Sequence, residues 1–212
     1  MTSTVHDGMD RAARTSFATQ RPHPTTTNWI WLAQLRQRND VLVRGDCAPQ
    51  IREALGRHFK RVHYTAEDDV ASVATGPARF DCVNLNPSEG RAWSVSDLHG
   101  ASSILAESRR VLRAGGCLVL PVEVGSSWTP NRWWHYGIAA RLRRAGFRDV
   151  RPYYVTPSHD YFAALIPARG RATAGMEIWS TGSHLLGGIR WLMALLGAHP
   201  FLYKRFLFLA YP

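Results

Sequence analysis

Five polar residues, Asp46, Thr65, Asn84, Asn86 and Glu123, each stand at or just beyond the carboxyl end of a short apolar run. Carboxylates, carboxamides and a hydroxyl in such places can hydrogen-bond a polar ligand, because strand ends in open α/β sheets face the ligand crevice. His99, His135 and His159 add candidate general bases, and Cys47, beside the first strand end, is a candidate nucleophile by position. No histidine adjoins Cys47 in sequence, which argues against catalysis by it. Lone histidines more often pack in a core or sit at a surface. Trp133, Trp134 and Tyr136 around His135 fit a core as readily as a pocket for a flat or acyl substrate. The catalytic residue therefore stays unassigned, and no Cys or His spacing indicates a metal site.

Periodicity sets the elements that must position these groups. Residues 1–27 are polar, rich in Thr and Arg and punctuated by Pro22 and Pro24, and read as a flexible arm before a domain over 28–212. "NWIWLAQLRQR" has apolar residues at helical spacing, with an aromatic face to lay on a sheet. "DVLVRG" (40–45) is a buried strand, "QIREALGRHF" (50–59) an amphipathic helix, "RVHYT" (61–65) a second strand and "RFDCVNLN" (79–86) a third. "VSDLHGASSILAESRRVLRAGG" reads as one helix, with Asp97 near its start, arginines in its last turns and Gly115 and Gly116 as its stop. "CLVLPVEV" (117–124) is a fourth strand, and "RWWHYGIAARLRRAGF" a helix ended by Gly146 and followed by the strand "RDVRPYYVTP".

Two segments compete for the last strand, "DYFAALIP" and "KRFLFLAYP". The terminal one is preferred, antiparallel to its neighbours and beside "DVRPYYV", which makes 158–204 an apolar insertion or lid. Strands alternating with helices imply an α/β fold with a doubly wound, mostly parallel sheet.

A formal charge of +10 invites a nucleic-acid reading, but all the basic residues except Lys60 and Lys204 are arginines spread along the chain. No dense basic run with interleaved aromatics occurs, so specific nucleic-acid binding is not expected. Attraction to an anionic substrate or membrane surface stays open. Three cysteines without metal spacing, two of them in apolar runs, point to reduced thiols and the cytoplasm. The amino-terminal stretch has no apolar core of the kind a signal peptide needs, and no segment has the roughly 18 uninterrupted apolar residues of a spanning helix. "HLLGGIRWLMALLGAHPFLYKRFLFLAYP" reads first as a helix and strand packed on the main sheet. It reads second as a substrate lid, a partner or homo-oligomer surface, or a peripheral membrane contact.

In order, "VLVRGDCAP", "RVHYT", "FDCVNLNP", "ESRRVLRAGGCLVLPVEV" and "LRRAGFRDVRPYYV" resemble the class I S-adenosylmethionine (SAM) dependent methyltransferases over roughly residues 40–155. The resemblance implies their Rossmann-like fold, SAM as cofactor, and a cofactor site at Gly45, Asp46, Cys47, Thr65, Asn84 and Asn86. "NLNPSEG" shares an Asn-Pro pair with the amino methyltransferases of that family but lacks their second proline and aromatic.

The chain departs from the family where the cofactor would sit. Aligned on the glycine turn, Gly45 takes the first glycine position, but Cys47 and Pro49 take the second and third. Pro49 fixes its own φ, which a helix start tolerates. Thr65 stands where the family carries an acidic residue for the ribose hydroxyls, with Glu67, Asp68 and Asp69 following it. Only residues 66–79 separate the second strand from the third, too few for the usual adenine wall. Two functions follow. One is methyl transfer from SAM to a small-molecule, peptide or lipid-linked acceptor. The other is a methyltransferase fold with a lost or repurposed site, serving as a partner or scaffold subunit or a SAM-independent enzyme. The fold supports both and is more often found with the first, while the altered turn favours the second and a closed or weakened pocket.

Overall fold

The computed structural model describes residues 28–45, 49–65, 79–85, 92–94, 96–123, 134–157, 162–168, 184–195 and 205–212. The strands are β1 (Asp40–Arg44), β2 (Arg61–Thr65), β3 (Phe80–Leu85), β4 (Trp93–Ser94), β5 (Leu112–Glu123), β6 (Asp149–Pro157), β7 (Phe162–Pro167) and β8 (Arg205–Tyr211). The helices are α1 (Trp29–Leu32), α2 (Pro49–His58), α3 (Asp97–Gly100), α4 (Ser102–Val111), α5 (Trp134–Arg144) and α6 (His184–Leu195).

All eight strands join one sheet in the order β2-β1-β3-β5-β8-β6-β7, with β4 paired to β5. β1 runs parallel to β2 and β3, and β3 parallel to β5. β8 lies antiparallel between β5 and β6, so β6 points the same way as β5 and the strands within 40–155 share one direction. Alternating side chains bury both faces, as a doubly wound sheet requires. Val41, Val43, Cys82, Cys117, Val119, Leu207 and Leu209 meet Trp29 and Ile30 of α1 and Leu55 of α2 on one face. Leu42, Val83, Leu118, Leu120, Phe206 and Phe208 meet α3, α4 and α5 on the other, through Leu98, Leu105, Ile138 and Leu142.

"RFLFLAYP" takes the expected place beside "DVRPYYV". "FAALIP" is not its rival but a further strand, β7, on the outer side of β6. The expected insertion at 158–204 therefore includes a sheet strand. The first helix is also shorter than its pattern, ending in one turn because Gln34 takes a positive φ of 44°. The long helix expected up to Gly115 is split into α3 and α4 and stops at Val111. There Leu112 turns extended and pairs with Phe80, and Arg79 N–H donates to the Val111 carbonyl at 3.0 Å. Gly115, at φ 80°, instead sits in a bulge between the Phe80–Leu112 and Cys82–Cys117 pairs. Gly146 does end α5: its N–H donates to Arg143 O, and Phe147 N–H donates to Leu142 O, a Schellman closure with Phe147 buried on Leu142.

Cys82 and Cys117 face each other across β3 and β5, both fully buried and both free. Burial pushes the Cys82 thiol well up and that of Cys117 to about 12, so neither forms thiolate near neutrality. In the native protein both should stay unmodified by iodoacetamide and react only on unfolding, as peptide mass spectrometry would read.

Candidate functional site

The crevice end of the sheet is built where β1, β2 and β3 finish together. β1 is buried along its whole length, and its register places Arg44 opposite both Thr65 and Leu85. Gly45 follows at φ 82°, a left-handed conformation that a side chain rarely adopts, and its N–H donates to the Thr65 carbonyl at 2.9 Å. This bond ties the start of the turn to the end of β2. The turn residues Asp46 and Cys47 lie outside the described residues. Pro49 then opens α2, where its missing N–H removes no helical bond.

Of the residues singled out in the sequence, Gly45 and Thr65 are brought into contact, and Thr65 is buried. Asn84 is buried one strand over, in register with Val43 and Val119. Its parity sets it on the sheet face opposite to Val83 and Leu85, whereas Thr65 shares the parity of Arg44. Glu123 marks the end of β5, opposite Ser94, and pairs with Arg205 at 3.3 Å where the chain rejoins the sheet as β8. Asn86, His159, Glu67, Asp68, Asp69 and most of the short 66–79 connection lie outside the described residues. His99 and His135 fall on the backbones of α3 and α5, with side chains outside the description.

Two residues near the strand ends escaped the sequence reading. Arg44, only 6% exposed, lays its guanidinium over the Trp93 ring at 5.4 Å. Trp93 Nε1–H donates to the Leu85 carbonyl at 2.9 Å, satisfying the last residue of β3. Ser94 and Asp97 then exchange bonds, Ser94 N–H to the Asp97 carboxylate at 2.9 Å and Asp97 N–H to Ser94 Oγ at 3.1 Å, a reciprocal pair that joins the end of β4 to the first residue of α3. An arginine ending an otherwise apolar strand was the available signal for this arrangement.

A second polar cluster sits at the amino ends of the strands, across the sheet from the crevice. The Asp40 carboxylate is 4% exposed and meets Arg61 at 2.7 Å, His63 at 3.2 Å and Arg113 at 3.6 Å. Burial alone would raise its pKa, but hydrogen bonds from Arg61 and His63, with the charges of Arg61 and Arg113, hold it below its ordinary value of 3.8. A depressed carboxylate stabilises the fold above its ordinary value, and that contribution is lost as pH falls through the depressed one. Asp40→Asn should therefore destabilise the protein at neutral pH and flatten the acid limb of stability below 3.8, as chemical denaturation across acid pH would show. Asp40, Asp81, Arg61 and Arg113 tie together the amino ends of β1, β2, β3 and β5. No group of His, Cys, Asp and Glu among the described residues is arranged to hold a metal ion, and no described helix is long and apolar enough to cross a membrane.

No protein-family model matches the chain, and no curated protein matches it in sequence. Solved structures do resemble it. A SAM-dependent methyltransferase from Archaeoglobus fulgidus aligns over 88% of this chain and 92% of its own, with a TM-score of 0.50 and 10% identity. Phosphoethanolamine N-methyltransferase 2 of Haemonchus contortus, in complex with S-adenosyl-L-methionine, aligns over 87% of this chain with a TM-score of 0.43 and 13% identity. This chain covers 52% of that protein's length. At such identities the likeness is one of fold. The chain has the class I methyltransferase-like fold, a mostly parallel sheet in which β8 runs antiparallel between β5 and β6.

Proposed function

We propose that the crevice binds SAM and that the protein transfers its methyl group to a small-molecule, peptide or lipid-linked acceptor. The observation that carries this reading is Gly45. It keeps a left-handed, Cβ-free backbone at the end of β1, tied to Thr65, even though Cys47 and Pro49 replace the glycines that the resemblance leads one to expect. Pro49 is absorbed as the first residue of α2, so it need not close the turn.

In this reading the main chain at Gly45, Asp46 and Cys47 lies along the methionine end of the cofactor. The Thr65 hydroxyl takes the ribose side, and Asn84 and Asn86 supply carboxamides from the end of β3. Bound there, the cofactor supplies an electrophilic methyl group on a sulfonium. The chain's own part is to hold the acceptor's nucleophile in line and exclude water, which general positioning can do without a dedicated base.

A second reading has a specific observation in its favour. Arg44 is a buried cation at the same strand end, and Thr65 stands where the resemblance leads one to expect an acidic residue for the ribose hydroxyls. On that reading the crevice takes another ligand or none, and the protein serves as a partner subunit. Calorimetric titration of the whole chain with SAM and S-adenosylhomocysteine separates the two. Saturable binding that Gly45→Val abolishes supports methyl transfer. No saturable heat at about millimolar ligand, where tight binding would also have raised Tm by mass action, rejects it in favour of the second.

A further inference from the structure

We infer that α6 docks on the surface of an anionic lipid bilayer. Leu185 is 75% exposed, Leu186 56%, Ile189 50%, Leu192 52%, Leu195 48% and Trp191 38%. The helix expected to pack on the sheet thus presents its large apolar side chains to solvent. At about 100° per residue these positions spread over more than half of the helix circumference, whereas a helix seated on one protein face needs a stripe of only about 100°. An apolar arc so wide suits immersion in a medium. α6 has 12 residues and is therefore about 18 Å long, too short for the roughly 30 Å of a bilayer's hydrocarbon core. It can lie in the interface but cannot cross.

Charge selects the lipid. Arg190 is the only charged residue of α6, and after Glu177 the chain carries no acidic residue at all, only Arg190, Lys204 and Arg205, within a protein of net charge +10. The positive charge of such a segment adds an attraction to an anionic surface that a zwitterionic one does not supply. Residues 196–204 then lead to Arg205, which meets Glu123 at the crevice end of β5. A surface-bound α6 therefore tethers Arg205 and the carboxyl end of β5 within about 35 Å of the headgroups. This inference stands independently of whether SAM occupies the crevice.

The test is flotation of the full-length protein with phosphatidylcholine vesicles and with mixed phosphatidylcholine–phosphatidylglycerol vesicles. The comparison variant is Leu185→Asp/Leu192→Asp, whose two sites are exposed, so its thermal unfolding should match that of the parent. The parent should float with the anionic vesicles, bind the zwitterionic ones about tenfold or more weakly, and release at high salt. The double variant should float with neither. Three results overturn the inference: no flotation of the parent, equal flotation with both lipids, or a lipid-free dimer in sedimentation velocity that the double variant converts to monomer. The last would assign α6 to self-association.

Discussion

Asp81→Ala is expected to lower the stability of the protein by about 3–5 kcal/mol, the scale for breaking a buried, hydrogen-bonded ion pair. Asp81 Oδ2 accepts the main-chain N–H groups of Asn39 at 2.8 Å and Asp40 at 3.0 Å, and Arg113 meets Oδ1 at 3.2 Å. Its side chain is 7% exposed, so water cannot readily replace it. Alanine would leave two main-chain donors at the start of β1 without their acceptor, each at about 1–3 kcal/mol, and would leave Arg113 short of a counterion. In a protein of this size, a loss on that scale moves Tm by about 10 °C. Asp81→Asn keeps one acceptor oxygen and should recover part of the loss. Urea denaturation of the three proteins checks the ranking, and an alanine variant within about 0.5 kcal/mol of the parent would show that the carboxylate does not hold the strand.

Removal of residues 205–212 is expected to abolish cooperative folding. β8 is the strand that joins β5 to β6, and β6 in turn holds β7, so without it the sheet parts into two pieces. Phe206, Leu207, Phe208, Leu209 and Ala210 are each at most 2% exposed and divide between the two faces of the core. Burying a large apolar side chain contributes about 1.5–3 kcal/mol, so losing this strand costs an amount comparable to the whole net stability of a domain, about 5–15 kcal/mol. Far-UV circular dichroism should lose its sigmoidal melt. A truncated chain that still melts as one transition near the parent Tm would show that β5 and β6 can close on each other.

Local signals served well where a single residue decides a local conformation. Gly146 was legible because a glycine after an arginine-rich turn can take the left-handed closure, and there it does. The same signal misled at Gly115, where pairing of Leu112 with Phe80 had already ended the helix and the glycine went to a bulge. "FAALIP" and "RFLFLAY" compete in sequence because a strand pattern does not say which side of β6 it takes; the sheet has room for one on each side. At the crevice, Gly45 and Thr65 followed from strand ends. Arg44 and Trp93 did not, because they are far apart in sequence and meet only when β4 folds back against β5. The solvent-facing side chains of α6 were equally hidden, since an apolar helix reads the same in sequence whether a core or a membrane covers it.

The place of β8 also bears on how the nascent chain folds. This strand is synthesised after every other strand of the sheet, yet it belongs between β5 and β6. Until it emerges from the ribosome, β5 and β6 each present an edge of open main-chain donors and acceptors bordered by apolar side chains. Such edges recruit strands from other chains. The interval between translation of β6 and arrival of β8 is therefore the period of greatest exposure to misassembly. Slow synthesis through residues 168–204 would lengthen it, and a chaperone that shields strand edges would act there.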